Sequence, residues 1–240
     1  DLRLLAAFRV WGAIVHFCAY RDLLDGDWER TLLEFLPRFE QAPDATAYAL
    51  TLAEMTARSG DSHVSLSGSR AFERYIGRAA PPVATCMIEG RPVVTEAAPE
   101  SGLSPGDVVL SVDGEPAAAR IARLSRYVAA STPQSLERRV MEFWLNGEPD
   151  SEAVLAVHGK QVHLKRRTDP GRRRERGGDV MRFLADNIGY VDLDGLRPDQ
   201  VDSMFETFRN TRAIVFDMRG YPNGTSWLIA PRLTERKRVP

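Results

Sequence analysis

From Thr211 to Trp227 the chain reads Thr-Arg-Ala-Ile-Val-Phe-Asp-Met-Arg-Gly-Tyr-Pro-Asn-Gly-Thr-Ser-Trp, and no other stretch restricts the fold as much. The unbroken apolar run 213–216 predicts a strand buried on both faces, as in a parallel sheet. Two glycines, a proline and an asparagine follow, residues suited to a backbone that most side chains disfavour. Ser226 is placed to cap a helix running to about Leu233. A strand, a tight turn and a helix leave free backbone N–H groups past the carboxyl end of a sheet. Open α/β sheets carry their sites there.

One β-α-β unit leads up to this stretch. Residues 188–193 read as a strand, and Pro198 opens a helix with Val201, Phe205 and Phe208 on one face. The strand at 213–216 then closes a parallel, right-handed crossover. Such a unit does not make a stable domain alone, so the expectation is the beginning of a larger α/β domain. An incomplete sheet edge there would let the chain pair with itself.

The first 80 residues predict three amphipathic helices. Leu4, Phe8, Trp11, Val15 and Cys18 recur at helical spacing up to Asp25-Gly26. Asp27 caps a second helix with Trp28, Leu32, Phe35 and Phe39 inward, and Asp44 caps a third with Tyr48, Leu52 and Met55 inward and Gly60 at its end. From residue 81 the period shortens. Strands at 85–88 and 92–96 flank Glu89-Gly90, and a short strand leads into Asp113-Gly114. Helical stretches follow at 117–129 and 135–145, the second with Leu136, Val140 and Phe143 on one side. A strand pair at 153–157 and 161–165 turns at His158-Gly159-Lys160. From Arg166 to Asp179 the chain is rich in Arg and Gly with almost nothing to bury, which predicts an exposed linker.

Charge and composition remove whole classes of function. The formal net charge is −1, with 27% charged and 43% hydrophobic residues. That balance lacks the Lys and Arg surplus that phosphate-backbone binding requires, so no nucleic-acid partner is expected. No apolar run reaches the roughly 18 residues of a membrane span. The two cysteines, Cys18 and Cys86, are too few for a disulfide framework and read as buried free thiols. The turn at 220–226 lacks the Lys and the spacing of a phosphate loop, and Gly-x-Gly-x-x-Gly is absent. No cofactor is expected.

Ser59-Gly60-Asp61-Ser62-His63-Val64 is the second chemically suggestive stretch. A loop histidine beside Ser and Asp suits a general base because its pKa lies near neutrality. Asp61 and His63 alone supply too few ligands for a metal site.

The order of these pieces resembles a known family. A helical cap ending in Gly-Asp-Ser-His-Val precedes Gly-Leu-Ser-Pro-Gly-Asp-Val-Val-Leu-Ser-Val-Asp-Gly at 102–114, which is similar to a PDZ signature. The segment Asp217 to Gly224 is similar to the Asp-Leu-Arg-Gly-Asn-Pro-Gly-Gly of S41 serine peptidases, the tricorn-core and carboxy-terminal processing group. The resemblance implies a multidomain α+β chain: a helical cap at 1–80, a PDZ-like β-rich domain at 81–167, a basic linker at 168–180, and the first part (β-α-β-α) of an α/β peptidase core at 181–240. By resemblance His63 is the base, as in the tricorn-like branch, and Ser62 the residue that orients it. Gly220, Asn223 and Gly224 are the positions from which an oxyanion-hole amide can come.

The family's nucleophilic serine falls a few tens of residues beyond the glycine-rich loop. The expectation is therefore an inactive amino-terminal portion of an endopeptidase acting on unfolded polypeptides, in the periplasm or outside a bacterial cell. The stretch 78–83, where a PDZ domain captures a terminal carboxylate, has no glycine and two prolines, which puts such capture in question. The competing expectation is a non-catalytic protein on the same scaffold, binding a peptide or a hydrophobic ligand, as retinoid-binding relatives do.

Overall fold

The structure, a computed structural model, describes residues 2–24, 26–169 and 178–234. The chain divides into two compact units, residues 1–173 and 174–240. Most of the basic run expected as a linker, 170–177, and Asp25 lie outside the described residues.

The first unit begins with helices α1 (Leu2–Phe17), α2 (Trp28–Glu40) and α3 (Ala45–Ala57). Asp27 accepts from the backbone N–H groups of Glu29 and Arg30, and Asp44 from that of Ala47, so both expected caps form. Trp28, Phe35, Phe39 and Met55 close a core with Ala7 and Ile14. Phe8, expected inward, stays 47% exposed, because α1 turns its Ala7–Ile14 face to the core. A short helix that the sequence reading missed, α4 (Arg70–Ile76), is capped by Ser69 and buries Phe72 beside Ala49 and Ala53. At seven residues it shows too little periodicity to be read.

Next comes an antiparallel hairpin, β1 (Val83–Ile88) and β2 (Arg91–Ala97). Then β3 (Val109–Val112) and β4 (Glu115–Pro116) precede helices α5 (Ala117–Ser125) and α6 (Pro133–Met141), and β5 (Glu152–Val157) and β6 (Lys160–Lys165) follow. The second sheet has the order β4-β3-β5-β6, antiparallel throughout. The hairpin turn at Glu89-Gly90 and the second sheet's turns at Asp113-Gly114 and His158-Gly159 all hold positive φ at both residues. That is the backbone which twists a two-residue hairpin correctly and which Gly tolerates in second place. Trp144, Leu145, Leu155 and Val140 fill the core, and Trp144 Nε1 donates to Thr85 Oγ1 at 2.8 Å.

A close backbone approach ties the helical and β-rich parts together, and a buried guanidinium braces the β-rich part itself. Gly77 sits at φ +89, where a Cβ would come within 2.4 Å of Gly147 N, so the two chain segments approach more closely than any side chain allows. Arg166, expected in an exposed linker, is 3% exposed instead. It donates to the carbonyls of Leu145 and Glu152 and to the Asp113 carboxylate. Burial of a guanidinium is tolerated here because its donors meet acceptors.

The second unit is a three-stranded sheet of order β7-β8-β9, with β7 (Met181–Leu184), β8 (Ile188–Asp192) and β9 (Ala213–Asp217). The β8-β9 pair is parallel and spanned by α7 (Val201–Thr207), as expected. Strand β7, antiparallel to β8, was not anticipated, so the sheet is mixed. Gly189 is required by packing, because a Cβ there would meet the Phe208 ring at 2.7 Å. Two expectations fail. Strand β9 is not buried on both faces: Val215 is 44% exposed, since β9 pairs only with β8 among the described residues. Ser226 is the first residue of α8 (Ser226–Ile229) rather than its cap. The position before it is Thr225, which makes no side-chain capping bond and whose Oγ1 is buried without a hydrogen-bond partner among the described residues. Both cysteines are free but only half-buried.

Candidate active site

The first candidate loop follows α3. Asp61 Oδ1 accepts from the His63 backbone N–H at 2.9 Å and lies 2.8 Å from His63 Nδ1. The His63 backbone N–H, and then its ring, hold the Asp61 carboxyl below the usual carboxylate range. An ionised Asp61 favours the tautomer with the proton on Nδ1 and leaves Nε2 with a free lone pair. The imidazole is 91% exposed. The ring is both oriented and accessible.

Ser62 does not orient that ring. Its Oγ accepts from the Ser131 N–H at 2.9 Å and from the Ser131 hydroxyl at 3.1 Å. With both lone pairs occupied, its own proton is left for Ser135 Oγ, 3.1 Å away. The Ser62 N–H donates back to Ser131 Oγ at 3.0 Å, and the Arg139 guanidinium donates to the Ser62 carbonyl. The orienting contact that resemblance assigns to Ser62 is made by Asp61, two residues from the histidine. An Asx-type turn was legible in Asp-Ser-His, since a short carboxylate commonly accepts from the N–H two residues on. Beside Ser131, an open cleft of about 660 Å³ is lined by Ala57, Val128, Thr132, Pro133 and Leu136.

The second candidate loop, in the other unit, follows β9. Asp217 takes the Arg219 side chain through Nε at 3.0 Å and an Nη at 2.6 Å, the Tyr190 hydroxyl, and the Arg219 N–H at 3.0 Å. Those donors, Arg219's side chain first and Tyr190 next, push its carboxyl far below the usual range. Arg182 stacks over the Tyr190 ring at 3.8 Å. Asn223 Nδ2 donates to the Asp194 carbonyl. The three amides proposed for an oxyanion hole are not equivalent. Gly224, at φ +76, donates its N–H to Pro222 O at 2.8 Å. The amides of Gly220 and Asn223 have no such partner among the described residues. Met218, Tyr221 and Trp227 stand exposed around them.

The carboxylate-capture stretch at 78–83 offers no free donor. Arg78 and Ala79 donate to Gly147 O, Ala80 donates to Arg167 O, Pro81 and Pro82 have none, and Val83 donates to Pro81 O. Among the described residues no group of three or more His, Cys, Asp or Glu side chains gathers for a metal, and no helix is long and apolar enough to cross a membrane.

No family model matches the chain, and no curated protein matches it. Solved structures do. The mixed helix-and-strand arrangement with several small sheets is one that a protease uses. Three of the matching structures are of CPAF, a chlamydial serine protease. The mature protein aligns at TM-score 0.57 and 14% identity over 90% of this chain and 55% of that one. Its complex with lactacystin aligns at 0.56 and 14%, over 90% and 56%, and a serine-to-alanine mutant at 0.58 and 15%, over the same shares. The chain thus spans about half the length of the structures it matches.

Proposed function

We propose that these 240 residues are the amino-terminal part of a serine endopeptidase of the S41 type, tricorn-like in its base, that hydrolyses peptide bonds in unfolded polypeptides. The observation that carries this reading is the Asp61–His63 pair: an exposed imidazole with Nδ1 held by a carboxylate, on a fold shared with a protease. In this reading His63 Nε2 takes the proton from a nucleophilic serine supplied by polypeptide beyond Pro240, and Asp61 keeps the ring in the required tautomer. The free amides of Gly220 and Asn223 are the candidate donors to the oxyanion, while Gly224 serves the turn. Residues 81–167 act as a PDZ-like module that does not use the 78–83 amides to capture a carboxylate. The same reading carries export to the periplasm or the medium.

The test uses the product of the complete gene with casein as substrate. His63→Ala is expected to lower kcat by about 10²–10⁴, and the 240-residue chain is expected to be inactive. Undiminished hydrolysis by His63→Ala would sink the assignment, and turnover by the 240-residue chain would overturn its dependence on a later serine. A folded, inactive full-length product that binds peptide or apolar ligand would instead establish the non-catalytic scaffold.

A further inference from the structure

Ser131, Ser135 and Arg139 together form a clasp on Ser62. It is placed where it controls the next residue. The peptide unit joining Ser62 to His63 is held at both ends: its carbonyl accepts from Arg139, and its N–H donates to Asp61 Oδ1. The same Asp61 oxygen meets the ring at Nδ1. Rotation of that peptide plane would break the backbone bond and the ring bond together. Ser131 stops such rotation by a reciprocal pair of bonds to Ser62, and Ser135 and Arg139, one helical turn apart on α6, share one face toward it. Among the described residues no carboxylate pairs with the Arg139 guanidinium, whereas the neighbouring Arg138 pairs with Glu142.

We propose that Arg139 and Ser131, about 70 residues after the histidine, are positioning residues that fix the His63 imidazole on Asp61. This rests on His63 being the base. Neither residue touches the ring. Arg139 acts through the Ser62 carbonyl and its charge near Asp61, and Ser131 through the Ser62 N–H and hydroxyl. The reacting nitrogen thus inherits its aim from the start of α6 and, through Arg139, from its last turn. That helix start also lines the cleft of about 660 Å³ through Thr132, Pro133 and Leu136. A polypeptide side chain entering the cleft would therefore press on the element that sets the base.

The ring itself is the readout. Long-range ¹H–¹⁵N spectra of the 240-residue chain are expected to show His63 as a single Nδ1-protonated tautomer once the imidazole is neutral. Arg139→Gln and Ser131→Ala should each lose that signature to a mixture with the Nε2-protonated form, and Arg139→Lys, which keeps a cationic donor, should restore most of it. Circular dichroism and thermal melting establish that each variant is folded. If Arg139→Gln does not fold, Ser131→Ala, which deletes one hydroxyl, decides alone. A folded variant with the wild-type tautomer overturns the proposal. In the full-length product, Arg139→Gln should lower kcat about ten- to hundredfold with KM held. An unchanged kcat there, with His63→Ala inactive, removes the positioning role and leaves the base in place.

Discussion

The two candidate loops are held in opposite ways. The Asp217 to Gly224 loop is built mostly from itself: Arg219 closes on Asp217 two residues back, and Gly224 on Pro222. The Asp61 to His63 loop also makes local bonds, from Val64 N–H to Asp61 O and between Asp61 and His63, but Ser62 at its centre is held by residues 131–139. A locally closed loop keeps its shape whenever its own unit folds. A remotely clasped loop depends on a second folded segment, and so can be influenced through that segment. Under the proposed function the first arrangement suits fixed donors of an oxyanion hole, and the second a base whose aim is set from elsewhere in its unit.

The largest blow to this contrast should come from Arg166→Met. Removing the buried guanidinium leaves the Leu145 and Glu152 carbonyls without that donor, at about 1–3 kcal/mol for each unmet acceptor, and takes the cation from the exposed Asp113 carboxylate. In hydrogen exchange the amides near His63 should then lose protection, while those at 217–224 keep theirs. Equal loss in both loops would show that the two are not independently supported.

Acid gives a subtler separation. The Asp217 carboxyl is depressed in the folded state, so its stabilising contribution is fully present above the unfolded value of about 3.9 and is lost as pH falls from there towards the folded value. The Arg219 amide resonance should hold its position at neutral pH and move only well below pH 4. Asp217→Asn should abolish that titration and loosen the loop at all pH values, leaving the His63 tautomer unchanged. A midpoint for Arg219 near the ordinary carboxylate value would contradict the geometry. Smallest of all, Asn223→Ala removes one exposed bond to Asp194 O, at a cost of about 1 kcal/mol or less. Faster exchange confined to 220–224 would fit a loop that closes mostly on itself; collapse of its protection would show that Asp194 is its main anchor.

Legibility in the sequence follows the same division. The caps at Asp27 and Asp44, the X-Gly turns at Glu89-Gly90 and Asp113-Gly114, and the β8-α7-β9 crossover were all readable, because each depends on a few neighbouring residues. The outward placement of Phe8 on α1, the brief α4, and the pairing of β7 were not, since each is chosen by what packs against it. Arg166 shows the limit most clearly. In sequence it belongs to an arginine-rich run with nothing to bury, and in the fold it is buried because acceptors from three distant points converge on it.

For the candidate site, sequence alone determined that a histidine follows Asp-Ser on a glycine-initiated loop and that a glycine-rich turn follows a strand. Side-chain type and short spacing are enough for that. Tertiary structure alone decided that Asp61 rather than Ser62 holds the ring, that Ser62 is committed to Ser131 and Ser135, and that Gly220 and Asn223 rather than Gly224 keep free amides. A hydrogen bond is directional and saturable, so its partner is settled only when the folded backbone brings donors and acceptors into line.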